Sequence, residues 1–346
     1  MVRELLTRII HGESLQTDEA EALMAQMMDE EITPIQLAGV LVALRAKGET
    51  AEEVVGFART MRARARQIEF DGDQPALLAD TCGTGGDNRG TFNISTAAAL
   101  ILAASGQPVA KHGNRAASGR CGSADVLEAL GVDIALPPEG VARCIGEVGI
   151  GFLFAPAFHP AMKFAAIPRR ELGVRTVFNL LGPLTNPARP AYQLLGVSGA
   201  DLIDLMAGAL AGLGIRHALV VHSQDGTDEI SVAAPTDVRE VSGGEVRAYT
   251  VAPEDFGVER SAPESIRGGD AETNAGILMD LLQGKRGPTR DAAVINAAAA
   301  LYASGRADDL RRGAEQAAEV LDSGAALATL ELLKAVSKRA RTELVA

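Results

Sequence analysis

The chain has 346 residues, a formal net charge of −12 at pH 7 and 3% aromatic residues. This length predicts at least two domains, or one domain with an appendage. The acidic balance argues against a nucleic acid or an anionic membrane as partner, because such binding needs Lys and Arg to neutralise phosphates. Three scattered cysteines give no disulfide framework, and no segment resembles a signal peptide or a membrane span. We therefore expect a soluble, cytoplasmic protein.

The first 70 residues have the pattern of a helical module. Helix start signals recur at three threonines: Thr17, Thr33 and Thr50. Gln36 and Glu53 each stand three residues after one of them, which is the spacing of a capping box. Gly48 is placed to end the middle helix. Nothing in this segment indicates chemistry, so we expect it to serve packing or dimerisation.

From about residue 76 the pattern changes to short apolar runs that alternate with glycine-rich loops and alanine-rich helices. The runs are ALLADT, QPVAKH, GIGFLFA, YQLLGV and HALVVH. This alternation predicts an α/β fold with a mostly parallel central sheet. Residues 229–252 interrupt it with short strands and turns, which predicts an antiparallel excursion, and the chain after Pro288 is expected to be helical.

The densest chemical signal is DTCGTGGDNRGTFNISTAAAL, residues 80–100. A glycine-rich loop between a strand and a helix lets backbone N–H groups converge on an anion at the helix N-terminus. The predicted phosphate contacts are Gly83, Gly85, Gly86, Asn93, Ser95 and Thr96, with Ser95 also able to bind a metal. The sequence matches neither GxGxxG nor the Walker pattern. A plain glycine turn before a capped helix remains an equal alternative for this loop alone.

A second polar loop, KHGNRAASGRCGSADVLEALG at residues 111–131, follows the next predicted strand. Lys111, Arg115 and Arg120 supply positive charge, and three glycines allow close backbone approach. Loops that follow strands of a parallel sheet meet at its carboxyl edge, where α/β proteins bind ligands. Two such loops make a purely structural role improbable, although His112 alone is compatible with a structural histidine.

Two further segments carry charged candidates. Asp228 and Glu229, in SQDGTDEIS after the HALVVH run, are oxygen donors suited to Mg²⁺, although spacing alone favours a plain acidic turn. Residues 159–187 contain Arg169, Arg170 and Arg175 near a proline-interrupted helix. An arginine there can form a bidentate pair with a substrate carboxylate, but most helical arginines are solvated surface residues.

The motifs GTGGD, NIST, KHGNR, GSADVLEALG, RRELGVRTVFNLLGPLTNP and DGTDE occur in an order and spacing that resemble the anthranilate phosphoribosyltransferases. The resemblance spans nearly the whole chain. GTGGD and KHGNR alone are loosely shared with pyrimidine nucleoside phosphorylases, and the long RRELGVRTVFNLLGPLTNP segment narrows the match. One departure is visible, because Gly119 follows Ser118 where the family usually has a second serine, so one hydroxyl contact to phosphate is lost.

The resemblance implies a helical domain of residues 1–70, joined by helices from 160–187, an α/β domain of residues 71–346, and a homodimer through the helical part. It implies Mg²⁺ ligands at Ser95, Asp228 and Glu229. It implies anthranilate contacts at Gly83, Asn114 and Arg169. Contacts to phosphoribosyl pyrophosphate are implied at Gly83, Gly86, Asp87, Thr91, Asn93, Ile94, Ser95, Thr96, Lys111, His112, Gly113, Asn114, Arg115, Ala116, Ala117, Ser118, Gly119 and Ser123. Lys111, Asn114 and Arg169 are expected to position the substrates, without a general base.

Two alternative functions compete with this hypothesis. A nucleoside phosphorylase would use inorganic phosphate and a nucleoside on the same scaffold, and it would not need the acidic pair for a metal. A non-catalytic relative that binds nucleic acid should have a basic cleft and degraded glycine loops. The chain is acidic and its GTGGD and KHGNR motifs are intact, so we rank the nucleic-acid-binding alternative well below both enzymes.

Overall fold

The computed structural model describes residues 1–70, 77–116 and 120–345 of the chain. Its helices are α1 Val2–Ile10, α2 Thr17–Met28, α3 Pro34–Lys47, α4 Ala51–Arg64, α5 Ile94–Ala104, α6 Ser123–Ala129, α7 Pro138–Val148, α8 Ala155–Phe158, α9 Lys163–Leu172, α10 Val177–Leu184, α11 Ile203–Gly212, α12 Ala271–Leu282, α13 Pro288–Ala303, α14 Leu310–Asp322 and α15 Ala325–Val345. Its strands are β1 Ala79–Gly83, β2 Val109–Gly113, β3 Ile150–Phe154, β4 Tyr192–Gly196, β5 His217–Ser223, β6 Thr236–Ser242 and β7 Glu245–Val251.

Two of the three predicted helix starts in the N-terminal part are confirmed, whereas α2 has Gln16 and not Thr17 as its N-cap residue. Thr33 Oγ1 accepts the N–H of Gln36 at 3.2 Å, and the side chain of Gln36 accepts the N–H of Thr33 at 2.9 Å. Thr50 and Glu53 form the same reciprocal pair at the start of α4. Gly48 ends α3 with a φ of 89°, a conformation that favours glycine. These predictions are confirmed because each depends only on neighbours within one turn.

Helices α9 and α10, although distant in sequence, complete the N-terminal helical part. Ala165, Val177 and Leu181 are buried in one apolar core together with side chains of α1–α4. The same core continues into Leu195 of β4 and Ile203 of α11. The helical part therefore packs directly on one face of the sheet, and the predicted boundary at residue 70 stays a prediction.

The sheet has the strand order β3-β2-β1-β4-β5-β6-β7. The first five strands are parallel, β6 pairs antiparallel with β5, and β7 pairs antiparallel with β6 at the edge of the sheet. The predicted mostly parallel sheet and the antiparallel excursion are both confirmed, although β6 begins at Thr236 and not at residue 229. β1 lies between β2 and β4, so the loops after these three strands are neighbours at the carboxyl edge.

Alanine-rich helices cover the other face of the sheet. Every residue from Ala97 to Ala103 in α5 is buried, and so is nearly all of the adjacent helix α13. Gly313 of α14 lies so close to α13 that an added Cβ would be 2.7 Å from the carbonyl oxygen of Ala298. Small side chains let these helices approach closely, which holds α5 rigidly under the first glycine-rich loop.

Candidate active site

The first glycine-rich loop runs from the end of β1 to the start of α5. Gly85 and Gly86 have φ values of 63° and 80°, so both positions favour glycine. The N–H of Gly85 donates to Asp228 Oδ2 at 3.1 Å, and the carbonyl of Gly85 accepts from Arg175 Nη1 at 2.8 Å. The loop is therefore anchored on one side by the acidic loop after β5 and on the other by the segment between α9 and α10.

The second loop follows β2 and ends at α6. Asp125 accepts the N–H groups of Ala116 at 3.0 Å and Gly122 at 2.8 Å, and so gathers the two ends of the loop. The guanidinium of Arg115 pairs with Asp125 and Glu128. Its charge is thus engaged with α6 in this conformation. The predicted contacts Ala117, Ser118 and Gly119 lie outside the described residues.

Lys111 of β2 connects this strand to β1 and to the start of α5. Its side chain is buried, and Nζ donates to the carbonyl of Thr81 at 2.7 Å and lies 3.4 Å from Ser95 Oγ. Burial lowers the pKa of Lys111 and raises that of Asp80 to about 6, while their attraction opposes both shifts. Asn186 donates to Asp80 Oδ2 at 2.9 Å and completes this buried network. The Nζ atom of Lys111 is therefore held between the end of β1 and Ser95.

Asp228 and Glu229 approach the first loop and the start of α5. The N–H of Ser95 donates to Glu229 Oε1 at 3.2 Å, so the predicted metal ligands Ser95, Asp228 and Glu229 belong to one cluster. Burial, followed by the neighbouring carboxylates, raises the pKa values of both acids. No group of three or more His, Cys, Asp or Glu side chains forms a metal cluster within the described residues. Two carboxylates and a hydroxyl nevertheless fit Mg²⁺, which completes its coordination with water and substrate phosphates.

The other residues predicted to contact the donor differ in their exposure to solvent. Gly83 is open to solvent at the end of β1, and Thr91 lies in an isolated bridge with Arg267. Ile94 and Thr96 are buried in α5, so the Ile94 side chain serves the core. Asp87 lies beside Asp228, whose N–H is 3.5 Å from Asp87 Oδ2. The remaining members of the set lie at the end of β2 and the start of α6: Gly113, Asn114 and Ser123.

His112 lies beside a histidine that the sequence did not single out, His159. Their ring centroids are 5.3 Å apart, and His112 Nδ1 is 3.2 Å from the carbonyl oxygen of Gly182. Burial lowers the pKa of His112 to about 3 and that of His159 to about 4, so both rings are neutral at pH 7. A ring that is so weakly basic is a poor general base near neutral pH.

The contribution of the buried His112 ring to the free energy of unfolding is expected to fall between pH 7 and pH 5. The unfolded His112 ring takes up a proton near pH 6.5, whereas the folded ring does so only near pH 3. The unfolded chain therefore binds more protons in this window, and about 2 kcal/mol of stability is lost by pH 5. Urea titrations at both pH values should show a loss about 2 kcal/mol smaller for His112→Gln. Identical losses in the two proteins would contradict this assignment.

Arg169, the predicted anthranilate contact, lies on α9 and packs against α10. Its guanidinium lies 5.3 Å from the ring centroid of Phe178, and burial lowers its pKa. Among the ion pairs of residues 1–70, 77–116 and 120–345, none includes Arg169. A half-buried guanidinium held on an aromatic ring is well suited to a planar carboxylate.

Several residues that shape the site carry no signal in the sequence. Asn296, buried in α13, accepts the N–H of Ile230 and donates to its carbonyl, both at 3.0 Å, and so holds the acidic loop. Asn186, in the segment after α10, donates to Asp80 and so supports the buried network around Lys111. A single buried amide in an alanine-rich helix is a weak hint at best, because its partner is distant in sequence.

Comparison with known proteins identifies the family. Models of the glycosyl transferase family match residues 3–65 as its helical bundle domain and residues 75–327 as its a/b domain. The anthranilate phosphoribosyltransferase of Symbiobacterium thermophilum is 53% identical over 99% of both chains, and that of Thermomicrobium roseum is 53% identical over 97% of both. The chain belongs to the anthranilate phosphoribosyltransferase family.

Solved structures of this family share the fold. The anthranilate phosphoribosyltransferase of Thermus thermophilus superposes with a TM-score of 0.90 at 47% identity, over 96% of this chain and 99% of that one. The enzyme of Saccharomyces cerevisiae, solved in complex with PRPP and Mg, gives a TM-score of 0.88 at 26% identity over 98% of both chains. The family and fold predicted from the sequence motifs are confirmed.

Proposed function

We propose that this protein transfers the phosphoribosyl group of phosphoribosyl pyrophosphate to the amine of anthranilate, giving N-(5-phosphoribosyl)anthranilate and pyrophosphate, a step of tryptophan biosynthesis. The observation that carries the proposal is the convergence of two glycine-rich loops and an acidic pair at one sheet edge. We assign Arg169 of α9 to the same cleft, because the segment that follows α9 contacts the first loop through Arg175. One side of the cleft suits phosphates and a divalent cation, and the other suits a carboxylate.

The donor is assigned to the sheet edge. Backbone N–H groups of the first loop, the start of α5 and the buried ammonium of Lys111 favour the negative charge of a pyrophosphate. Asp228, Glu229 and Ser95 would hold Mg²⁺, which supplies positive charge that offsets the charge on the leaving pyrophosphate. The saturated cluster of protein ligands that a structural metal needs is not required, because the donor itself supplies oxygen atoms.

The acceptor is assigned to the side of the cleft that carries Arg169. Its guanidinium pairs with the carboxylate of anthranilate, and Asn114 orients the amine toward C1 of the ribose. C1 develops oxocarbenium character as the bond to pyrophosphate breaks, so leaving-group stabilisation and alignment matter more than a strong base. The neutral, weakly basic His112 is consistent with a reaction in which the amine loses its proton late.

The proposal is tested by following anthranilate fluorescence with purified protein and phosphoribosyl pyrophosphate. We expect anthranilate to be consumed with Mg²⁺ present and consumption to stop when excess chelator is added. The absence of consumption under both conditions would overturn the proposal and favour the phosphorylase alternative. That alternative predicts metal-independent cleavage of uridine or thymidine by inorganic phosphate, measured in the same preparation.

Replacing Arg169 with alanine is expected to raise the KM for anthranilate about 100-fold, because a charge-assisted bidentate contact is lost. The KM for the donor should change less than twofold. Arg170→Ala is the matched control, since Arg170 is the exposed neighbour on the same helix. Steady-state kinetics with each substrate varied in turn give both constants. An equal rise in both KM values would remove Arg169 from the acceptor side.

We also propose a homodimer formed through the helical part, in the cytoplasm. Helices α3 and α9 leave large apolar side chains in solvent, with Ile35 84% and Ile167 55% exposed. Large apolar side chains exposed on two helices that pack together support an interface at this part of the protein. No helix in the described ranges is long and apolar enough to cross a membrane. Light scattering should give about twice the chain mass of 35.9 kDa.

A further inference from the structure

The start of α12 carries a buried amide that faces the first donor loop. Asn274 is 1% exposed, and its Oδ1 accepts the N–H of Gly269 at 2.7 Å. Its Nδ2 donates to Asn93 Oδ1 at 2.9 Å. Asn93 is predicted to contact the donor and directly precedes α5. A residue 181 positions further along the chain therefore holds a predicted ligand contact.

The orientation of both amides follows from these contacts. Because the backbone N–H of Gly269 can only donate, the atom of Asn274 that faces it must be the oxygen, and the nitrogen must face Asn93. The oxygen of Asn93 then receives this donor, and its Nδ2 points to the carbonyl of Cys121 at 3.3 Å. The thiol of Cys121 lies 3.4 Å from the same oxygen of Asn93.

Asn93 thereby bridges the two loops to which the donor is assigned. It belongs to the segment after β1, whereas Cys121 lies near the end of the loop after β2. The segment before α12 reinforces the bridge, because the N–H of Phe92 donates to Ile266 and the N–H of Gly268 donates to Gly90, at 3.1 and 2.8 Å. The approach is so close that a Cβ on Gly268 would lie 2.7 Å from Phe92 Cα.

We propose that Asn274 is a positioning residue for phosphoribosyl pyrophosphate, acting through Asn93 to hold both donor loops in register. The inference rests on the proposed function, because it takes the donor to bind at Asn93. Asn274 contacts the first loop through the side chain of Asn93. Its contribution is the fixed orientation of a neighbouring amide, so its loss affects the donor and leaves the acceptor site intact.

The test is Asn274→Asp, which keeps the acceptor for Gly269 but places a second oxygen against Asn93 Oδ1. We expect the KM for phosphoribosyl pyrophosphate to rise about tenfold and the KM for anthranilate to change less than twofold. Gln283→Glu is the matched control, because it makes the same amide-to-acid change at the exposed end of α12. Calorimetric titration of the donor with Mg²⁺, without anthranilate, should show the same tenfold weakening.

A double-mutant comparison separates positioning from a general loss of stability. On an Asn93→Ala background, Asn274→Asp should weaken donor binding less than twofold further, because its target is already gone. Full additivity, or an equal rise in both KM values, would overturn the proposal. Asn274→Ser replaces the aspartate variant if that variant does not fold. If neither variant folds, Asn274 is needed for stability, and the proposal is overturned as well. Inactive wild-type protein would instead refute the proposed function.

Discussion

Replacing Gly196 with alanine is expected to lower kcat/KM for phosphoribosyl pyrophosphate about 100-fold, because the change displaces the loop that carries the acidic pair. Gly196 is the last residue of β4, and a Cβ added there would lie 1.6 Å from the backbone oxygen of Asp228. No side-chain rotation relieves a clash with a backbone atom, so either β4 or the loop must move. The same shift should cost about 2 kcal/mol of stability or more, measured by urea unfolding.

Gly196→Ala is expected to weaken binding of the donor in particular. The acidic loop also holds Gly85, so the first glycine-rich loop should loosen with it, and the KM for the donor should rise. Gly146→Ala provides the control, since a Cβ at this exposed position on α7 meets no atom within 4 Å. Activity within threefold of the wild type for Gly196→Ala would show that the loop tolerates displacement, against the close packing described here.

Replacing Glu229 with glutamine is expected to lower the activity and to raise the stability of the unliganded protein. The change removes the charge of a proposed Mg²⁺ ligand, so kcat/KM for the donor should fall by about 100-fold and the Mg²⁺ concentration for half-maximal rate should rise. In the free protein the same carboxylate is buried beside Asp228, and burial raises its pKa well above the usual value. Neutralising it should therefore stabilise the unliganded fold by about 1 kcal/mol.

The expected signature of Glu229→Gln is a higher melting temperature together with a lower rate. The glutamine oxygen can still accept the N–H of Ser95, so the loop itself should be preserved. Glu319→Gln, on the exposed face of α14, controls for the loss of one negative charge. A variant that loses stability along with activity would indicate that Glu229 acts mainly as a packing residue.

The parts of the fold that sequence could predict are those set by short-range patterns. Thr33 with Gln36 specifies a helix start within one turn, and the run before Gly83 specifies a buried strand followed by a tight loop. The convergence of GTGGD and KHGNR also followed from a simple rule, that successive parallel strands end at one edge. These features required no knowledge of distant contacts.

The parts that sequence could not predict depend on partners far along the chain. The engagement of Arg115 with Asp125 and Glu128 is visible only when the loop is folded onto α6. Asn274 and Asn296 look like ordinary polar residues in apolar helices. Asn274 nevertheless donates to the side chain of Asn93, and Asn296 satisfies the backbone of Ile230 in the acidic loop. Burial decides their role, and burial follows from tertiary packing that no local pattern contains.

The position of β1 in the middle of the sheet has a consequence for the time course of folding. β1 pairs with β4, and the two strands are separated by more than one hundred residues that include β2 and β3. A chain emerging from the ribosome has made both glycine-rich loops long before β4 exists to support them or Asp228 arrives. Pairings across such long separations form slowly. The proposed donor pocket is therefore among the last features to be completed during synthesis, and a nascent chain that ends before residue 228 lacks both carboxylates of the acidic pair.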